Sequence, residues 1–183
     1  MSDWLDEAKA VDTAVYGAIA AGDTPSLDVA MRGLSRAADH SKLWFAAAAA
    51  LAILGGPSGR LAARKGLVSL GIASGFANLV AKPLTTRRRP ARKEARELAR
   101  RHVQMPRSSS FPSGHAASAF AFATGAADAQ PVLSAPLRAI ATLVGYSRVH
   151  TGVHYPADVL AGAFIGVSAA ELAGHLLDRS RRR

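Results

Sequence analysis

Five apolar runs separated by short polar turns dictate most of what this chain can become. Residues 43–59 and 66–81 carry no charged side chain. Residues 115–127 form a third run, and 132–147 a fourth interrupted by Arg138. Residues 157–177 form a fifth, with Asp158 in its first turn and Glu171 in its body. A helix that crosses a bilayer needs about 20 residues. Several of these runs are shorter and rich in Ala and Gly, so each is a weak signal alone. Five in succession favour a membrane bundle, where small residues allow close helix packing. The competing architecture is a soluble helical bundle with an alanine-rich core. Strand-like alternation and long internal repeats are absent from the sequence.

The fold class expected is therefore all-α, a polytopic membrane helical bundle with about five transmembrane helices over residues 42–178. Residues 179–183 make a basic tail. Upstream, residues 4–20 place Trp4, Leu5, Ala8, Val11, Val15 and Ile19 at helical spacing among acidic side chains. A second helix starts near Thr24, a plausible N-cap, with Pro25 suited to the first helical position. Residues 1–41 thus read as N-terminal amphipathic helices, lying on a membrane surface or packed on the rest of the protein. The first residues are acidic rather than basic, so no cleaved targeting signal is expected.

Charge is segregated. The formal net charge is +10, yet residues 1–41 carry seven acids against three bases, and residues 82–107 carry ten bases against two acids. A basic block of this kind suits nucleic acid, an anionic membrane surface or a phosphate-bearing substrate, and a solvated linker is the plain alternative. With no cysteine, disulfides and thiolate metal sites are excluded. Arg138 and Glu171 fall at similar depth within their runs and are candidates for an intramembrane ion pair; Arg138 could instead snorkel to the surface.

Three clusters interrupt the apolar pattern. In "FPSGHAAS" the proline fits a first helical turn, and Ser113 and Gly114 leave backbone amides open at the positive end of a helix dipole, which suits an anion. His115 sits at the rim, where it can exchange a proton. The plain alternative is a helix cap. In "KPLTTRRRP", Lys82 ends the second run and Arg89 follows seven residues later. Lys offers a point charge and Arg a planar fork for two phosphate oxygens, although a basic flank is common after a membrane span. In "SRVHTGVHYPAD", Arg148 ends the fourth run and His154 precedes Pro156, which opens the fifth helix. Asp158, four residues after His154, can reach back to it. A carboxylate on one imidazole nitrogen fixes the tautomer and leaves the other nitrogen as a nucleophile. His150 lacks such a partner in this reading and is treated as a loop residue. "GGPSGR", residues 55–60, lacks the Lys-Ser/Thr end of a phosphate loop and reads as a turn. If runs two to five alternate in direction, all three clusters meet on one membrane face.

These residues carry a specific resemblance. Lys82 with Arg89-Pro90 matches K-x6-R-P, Pro112-Ser113-Gly114-His115 matches P-S-G-H, and Ser147-Arg148, His154 and Asp158 match S-R-x5-H-x3-D. The chain resembles the type 2 phosphatidic acid phosphatases, a family that shares its site with vanadium haloperoxidases. The resemblance implies that His154 attacks phosphorus, Asp158 orients it and His115 protonates the leaving oxygen. Lys82, Arg89, Arg148, Ser113 and the Gly114 amide would hold the phosphoryl oxygens, with no metal and no cofactor. The expected partners are a membrane and a lipid phosphate, with a polyprenyl-linked substrate favoured and phosphatidic acid or phosphatidylglycerol phosphate as alternatives; nucleic acid is not expected. Rival readings are a vanadate-dependent haloperoxidase and a non-catalytic basic binding protein that uses residues 82–107 alone.

Overall fold

The protein was analysed as a computed structural model, which describes residues 3–91 and 101–181. Seven α-helices follow in order among these residues: α1 (Asp3–Ala21), α2 (Pro25–Ala37), α3 (Lys42–Leu54), α4 (Gly56–Gly75), α5 (Gly114–Ala129), α6 (Ser134–His150) and α7 (Pro156–Arg181). No strand occurs among the described residues. The basic tail and the middle of the basic block extend into residues 182–183 and 92–100, outside the described residues.

The third, fourth and fifth apolar runs become α5, α6 and α7. The first two runs differ from expectation at their junction. Residues 55–60 do contain the turn, but it is confined to Gly55 and Gly56, with Gly56 at φ +61°. Pro57 to Arg60 already belong to α4, which starts about ten residues before the second apolar run. Arg60, Arg64 and Lys65 therefore ride on the helix. Lys65 is buried, and its ammonium bridges Asp128 of α5 at 2.5 Å and Asp178 of α7 at 3.0 Å. A cation that precedes the second apolar run in the sequence thus ties three helices together at the end away from the three motif clusters.

α5 is the centre of the bundle, packed against α4, α6 and α7. Its inward positions are mostly Ala and Gly, with Phe122 tilted against Trp44 of α3 at a ring-centroid distance of 5.3 Å. Small residues are needed where α7 crosses it. A Cβ on Gly162 would lie 2.4 Å from the Ser113 carbonyl oxygen, and one on Gly166 2.5 Å from that of Ala117. The backbones touch there, and the large apolar side chains turn outward. On α7, Leu160 and Phe164 are 70% and 74% exposed, and Leu172 and Leu176 continue the stripe. Small residues inside and large apolar residues outside is the arrangement of a bundle in lipid, where Leu gains nothing by turning inward.

Among the described residues one helix, Pro156–Arg179, is long and apolar enough to cross a membrane by length and composition. α3, α5 and α6 have 13, 16 and 17 residues, short of the usual span. Arg138 and Glu171 are both exposed, and no ion pair between them is found, so the suggested pairing does not form. α1 and α2 fold over the motif-bearing end of the bundle, and α1 leaves Trp4, Leu5, Val11 and Val15 exposed.

Candidate active site

The helix ends and loops that carry the three clusters converge on one cavity of about 550 Å³. Lys82, Arg89, Gly114, His115, Arg148 and His154 all line it. Each is delivered by a local device. The last turn of the α4 rod widens into π-helix over Phe76–Ala81, a feature often found beside functional sites. Lys82 follows at once, and its ammonium donates to Asn78 Oδ1 at 2.7 Å. Gly114 opens α5 beneath it; a Cβ there would sit in contact with Lys82 Nζ and Asn78 Oδ1, both at 3.4 Å, so the bare backbone keeps this wall of the cavity open.

Arg89 lies in extended chain, and carbonyl oxygens fix its guanidinium. Its Nε donates to Ser108 O at 3.0 Å, Nη2 to Ser109 O at 3.0 Å and Nη1 to Val153 O at 2.7 Å. The same Nη1 stands 3.4 Å from His154 Nε2. Arg148, at the end of α6, is almost fully buried and donates to Ser35 Oγ of α2.

Ser113 and Asp158 stand behind this lining, both fully buried. Ser113 Oγ accepts from Ala116 N at 3.4 Å, so its side chain is the N-cap of α5. The plain alternative for the Pro-Ser-Gly-His cluster holds for this one residue. Its backbone N–H donates to Asp158 O at 2.9 Å, joining the starts of α5 and α7. Asp158 Oδ2 accepts from Tyr155 N at 2.9 Å and faces His154 Nδ1 at 3.5 Å. His154 thus presents Nδ1 to the carboxylate and Nε2 toward Arg89.

The electrostatics fit an anion. Burial, supported by the positive charges of Arg148 and Arg89, pushes His154 down to about 4 in spite of Asp158. The imidazole is therefore neutral at physiological pH, with a lone pair available. Lys82 is lowered as well, first by burial and then by Arg89 and Arg148. Cations that crowd one another in this way are relieved by a bound anion. Among the described residues no group of three or more His, Cys, Asp or Glu side chains is placed to hold a metal ion.

The N-terminal helices supply side chains that the motifs do not contain. Asp39, just after α2, lines the cavity and accepts from His115 Nε2 at 2.9 Å. That hydrogen bond, opposed by burial and assisted by Arg148, holds Asp39 below the usual carboxylate range. The following residues, His40 and Ser41, take left-handed φ values of 54° and 59°, a conformation that costs about 1–2 kcal/mol per non-glycine residue. Asp12 of α1 reaches Arg87, which also binds Asp158. His150 corrects the sequence reading. It is the last residue of α6, buried, and its Nε2 donates to Asp28 Oδ1 of α2 at 2.7 Å. Arg101 Nε is 3.1 Å from the same oxygen, and its Nη1 donates to Ile19 O and Ala20 O at the end of α1. The sequence signal for these partners was the acidity of residues 1–41, opposite in sign to the basic block.

The sequence model of the PAP2 superfamily matches residues 62–182. The chain belongs to the PAP2 superfamily. Among PAP2 proteins it is 33% identical over 165 residues to the decaprenylphosphoryl-5-phosphoribose phosphatase of Mycolicibacterium smegmatis, covering 88% of this chain and 84% of that one. It is also 33% identical over 184 residues to the protein of the same name from Mycobacterium tuberculosis (strain H37Rv), covering 95% and 94%. Two solved structures share the PAP2 fold. LpxE of Aquifex aeolicus superposes with a TM-score of 0.71 at 24% identity, over 88% of this chain and 93% of that one. The transmembrane PAP2 type phosphatidylglycerolphosphate phosphatase from Bacillus subtilis gives 0.70 at 24% identity, over 94% and 87%. The fold is thus that of PAP2 membrane phosphatases. The matched family region begins at residue 62, so Asp39, which lines the cavity, and Asp12 and Ser35, which bind Arg87 and Arg148 behind it, all come from outside that region.

Proposed function

We propose that this protein is an integral membrane phosphatase that hydrolyses a lipid phosphomonoester or diphosphate through a phosphohistidine. The observation that carries this reading is the neutral His154, held between Asp158 and Arg89 at the wall of a cavity lined by four cations, Lys82, Arg89, Arg107 and Arg148. His154 Nε2 attacks phosphorus, the N–P bond forms and the P–O bond to the lipid breaks. His115 gives its proton to the departing oxygen. Water, deprotonated by His115, then attacks the phosphoryl group; inorganic phosphate leaves and His154 is neutral again. Arg89, Lys82, Arg148 and the Gly114 amide stabilise the equatorial oxygens, and Ser113 acts by fixing the start of α5. Positioning and electrostatics of this kind are most of what phosphoryl transfer asks of a protein. No metal enters the scheme.

A polyprenyl-linked substrate is favoured, supported by the likeness to the two decaprenylphosphoryl-5-phosphoribose phosphatases over nearly the whole chain. The catalytic domain spans residues 42–178, and the site faces the membrane surface, most simply that of a bacterial plasma membrane. The test is phosphate release by purified protein in detergent, with and without a chelator, from polyprenyl phosphates, polyprenylphosphoryl phosphoribose, phosphatidic acid and phosphatidylglycerol phosphate. Release from a polyprenyl substrate that survives chelation and disappears in His154→Ala is expected. Undiminished turnover by His154→Ala overturns the nucleophile assignment.

A further inference from the structure

We propose that Asp12 of α1, acting through Arg87, fixes the position of Asp158 and sets the charge around it, which makes the N-terminal helix a working part of the site. The proposal rests on the reading of His154 as the nucleophile. Asp12 lies outside the three sequence motifs, Arg87 occupies an unspecified position within the first, and neither lines the cavity.

The geometry is a chain of four groups. Arg87 Nη1 donates to Asp158 Oδ1 at 2.7 Å, and Nη2 donates to Asp12 Oδ2 at 2.5 Å. The other Asp12 oxygen accepts from Ala157 N, in the first turn of α7, at 2.8 Å. The Arg87 guanidinium stacks 4.6 Å from the centre of the Tyr155 ring, and Tyr16 of α1 meets that ring edge-on at 5.6 Å. Asp158 is fully buried and Asp12 nearly so. With Oδ1 held by Arg87 and Oδ2 by Tyr155 N, the Asp158 carboxylate cannot rotate away from His154.

The charge count gives each member a separate task. A neutral His154 cannot balance a buried Asp158, so Arg87 does. Arg87 alone would cancel that charge. Asp12 returns the trio to a net −1, and this field acts on His154 when phosphorylation turns its ring into a cation. Removing Asp12 leaves Asp158 placed but cancelled. Removing Arg87 leaves two carboxylates in one buried site, where one takes up a proton and the lock on Asp158 is lost. Asp12 and Arg87 are positioning residues; neither touches the reacting atoms.

The experiment compares Asp12→Asn, Arg87→Gln, Arg87→Lys and the Asp12→Asn/Arg87→Gln double variant of the full chain. An aryl phosphate is the probe, in rapid-quench runs where the burst amplitude counts working sites. A merely structural defect lowers the amplitude and leaves the rate per site alone. The expected result is a per-site kcat about tenfold lower in Asp12→Asn and about a hundredfold lower in Arg87→Gln, with KM within about twofold. Arg87→Lys recovers part of the loss, and the double variant is no slower than Arg87→Gln. A substrate-free readout accompanies this. In 15N spectra of histidine-labelled protein, His154 carries its proton on Nδ1 in wild type and shares it with Nε2 in Arg87→Gln. Wild-type per-site rates in Asp12→Asn and Arg87→Gln, or an unchanged His154 tautomer, overturn the network while leaving the phosphatase reading intact. Absence of phosphate release by wild type would instead strike the functional reading, and the spectra would still decide the network.

Discussion

The neutral state of His154 makes a prediction that can be worked through. Its value of about 4 lies about 2.5 below the ordinary 6.5, an energy of about 3.4 kcal/mol in favour of the neutral ring. The sign follows from the role. With His154 as the proposed nucleophile, the neutral ring attacks, protonation stops it, and a depressed value carries activity further into acid. At pH 5 about nine-tenths of the free enzyme would keep a neutral His154, against about 3% for an unperturbed histidine. Burial is the largest cause, so removing one neighbouring cation recovers only part of the shift. Arg89 Nη1 lies 3.4 Å from Nε2, and Arg89→Gln should raise His154 by about one unit. The assay is kcat/KM for an aryl phosphate between pH 3.5 and 8 in detergent. The substrate's own ionisation, near pH 6 for a phosphate ester, cancels in the ratio of variant to wild type. That ratio should fall as pH drops through about 5, beyond the uniform loss from a missing phosphate ligand. A ratio flat in pH, or one that rises toward acid, would refute the claim that these guanidinia keep the nucleophile neutral.

Two further predictions concern groups that the motifs omit or hide. Asp39 stands 3.7 Å from Arg148 and accepts from His115, so an incoming phosphoryl dianion meets its negative charge. Asp39→Asn should tighten competitive inhibition by inorganic phosphate about tenfold and slow leaving-group departure for an alkyl phosphate more than for an aryl one. Equal inhibition constants in variant and wild type would count against it. Gly162→Ala places a Cβ 2.4 Å from the Ser113 carbonyl oxygen, which forces α7 away from the start of α5. A stability loss of about 1–3 kcal/mol and a fall in kcat are expected, read from thermal unfolding in detergent and from turnover.

The sequence made the site more legible than the bundle around it. Lys82, Arg89, Gly114, His115, Arg148 and His154 are set by short motifs at helix ends, and helix direction alone brings such ends together. The limits of α4 were hidden because Arg60, Arg64 and Lys65 stand between two apolar runs like a polar connection. Only the fold shows that Asp128 and Asp178 come round to receive Lys65. Ser113 shows how such a motif carries two readings at once: a serine before a helix can cap it or bind an anion, and its Oγ caps α5 by accepting from Ala116 N. The partner of His150 was invisible because Asp28 lies 122 residues away, a distance that no local spacing rule spans.

The acidic N-terminal segment shows why charge balance is the stronger guide at such distances. A net −4 over residues 1–41 beside an excess of bases over 82–107 can be read as two solvated faces. Yet Asp12, Asp28 and Asp39 all turn inward, to Arg87, to Arg101 with His150, and to His115 with Arg148. Cations gathered this closely in one cradle repel one another, and Lys82 is lowered first by burial and then by Arg89 and Arg148. Carboxylates placed around the cradle relieve the repulsion, provided that they do not fill it. Asp12 and Asp28 meet this condition by binding Arg87, Arg101 and His150, which lie outside the cavity lining. Asp39 alone enters the cavity, on a backbone strained at His40 and Ser41. Asp12, Asp28 and Asp39 thus act as counter-charges around the site, carried there by α1, by α2 and by the turn that follows α2.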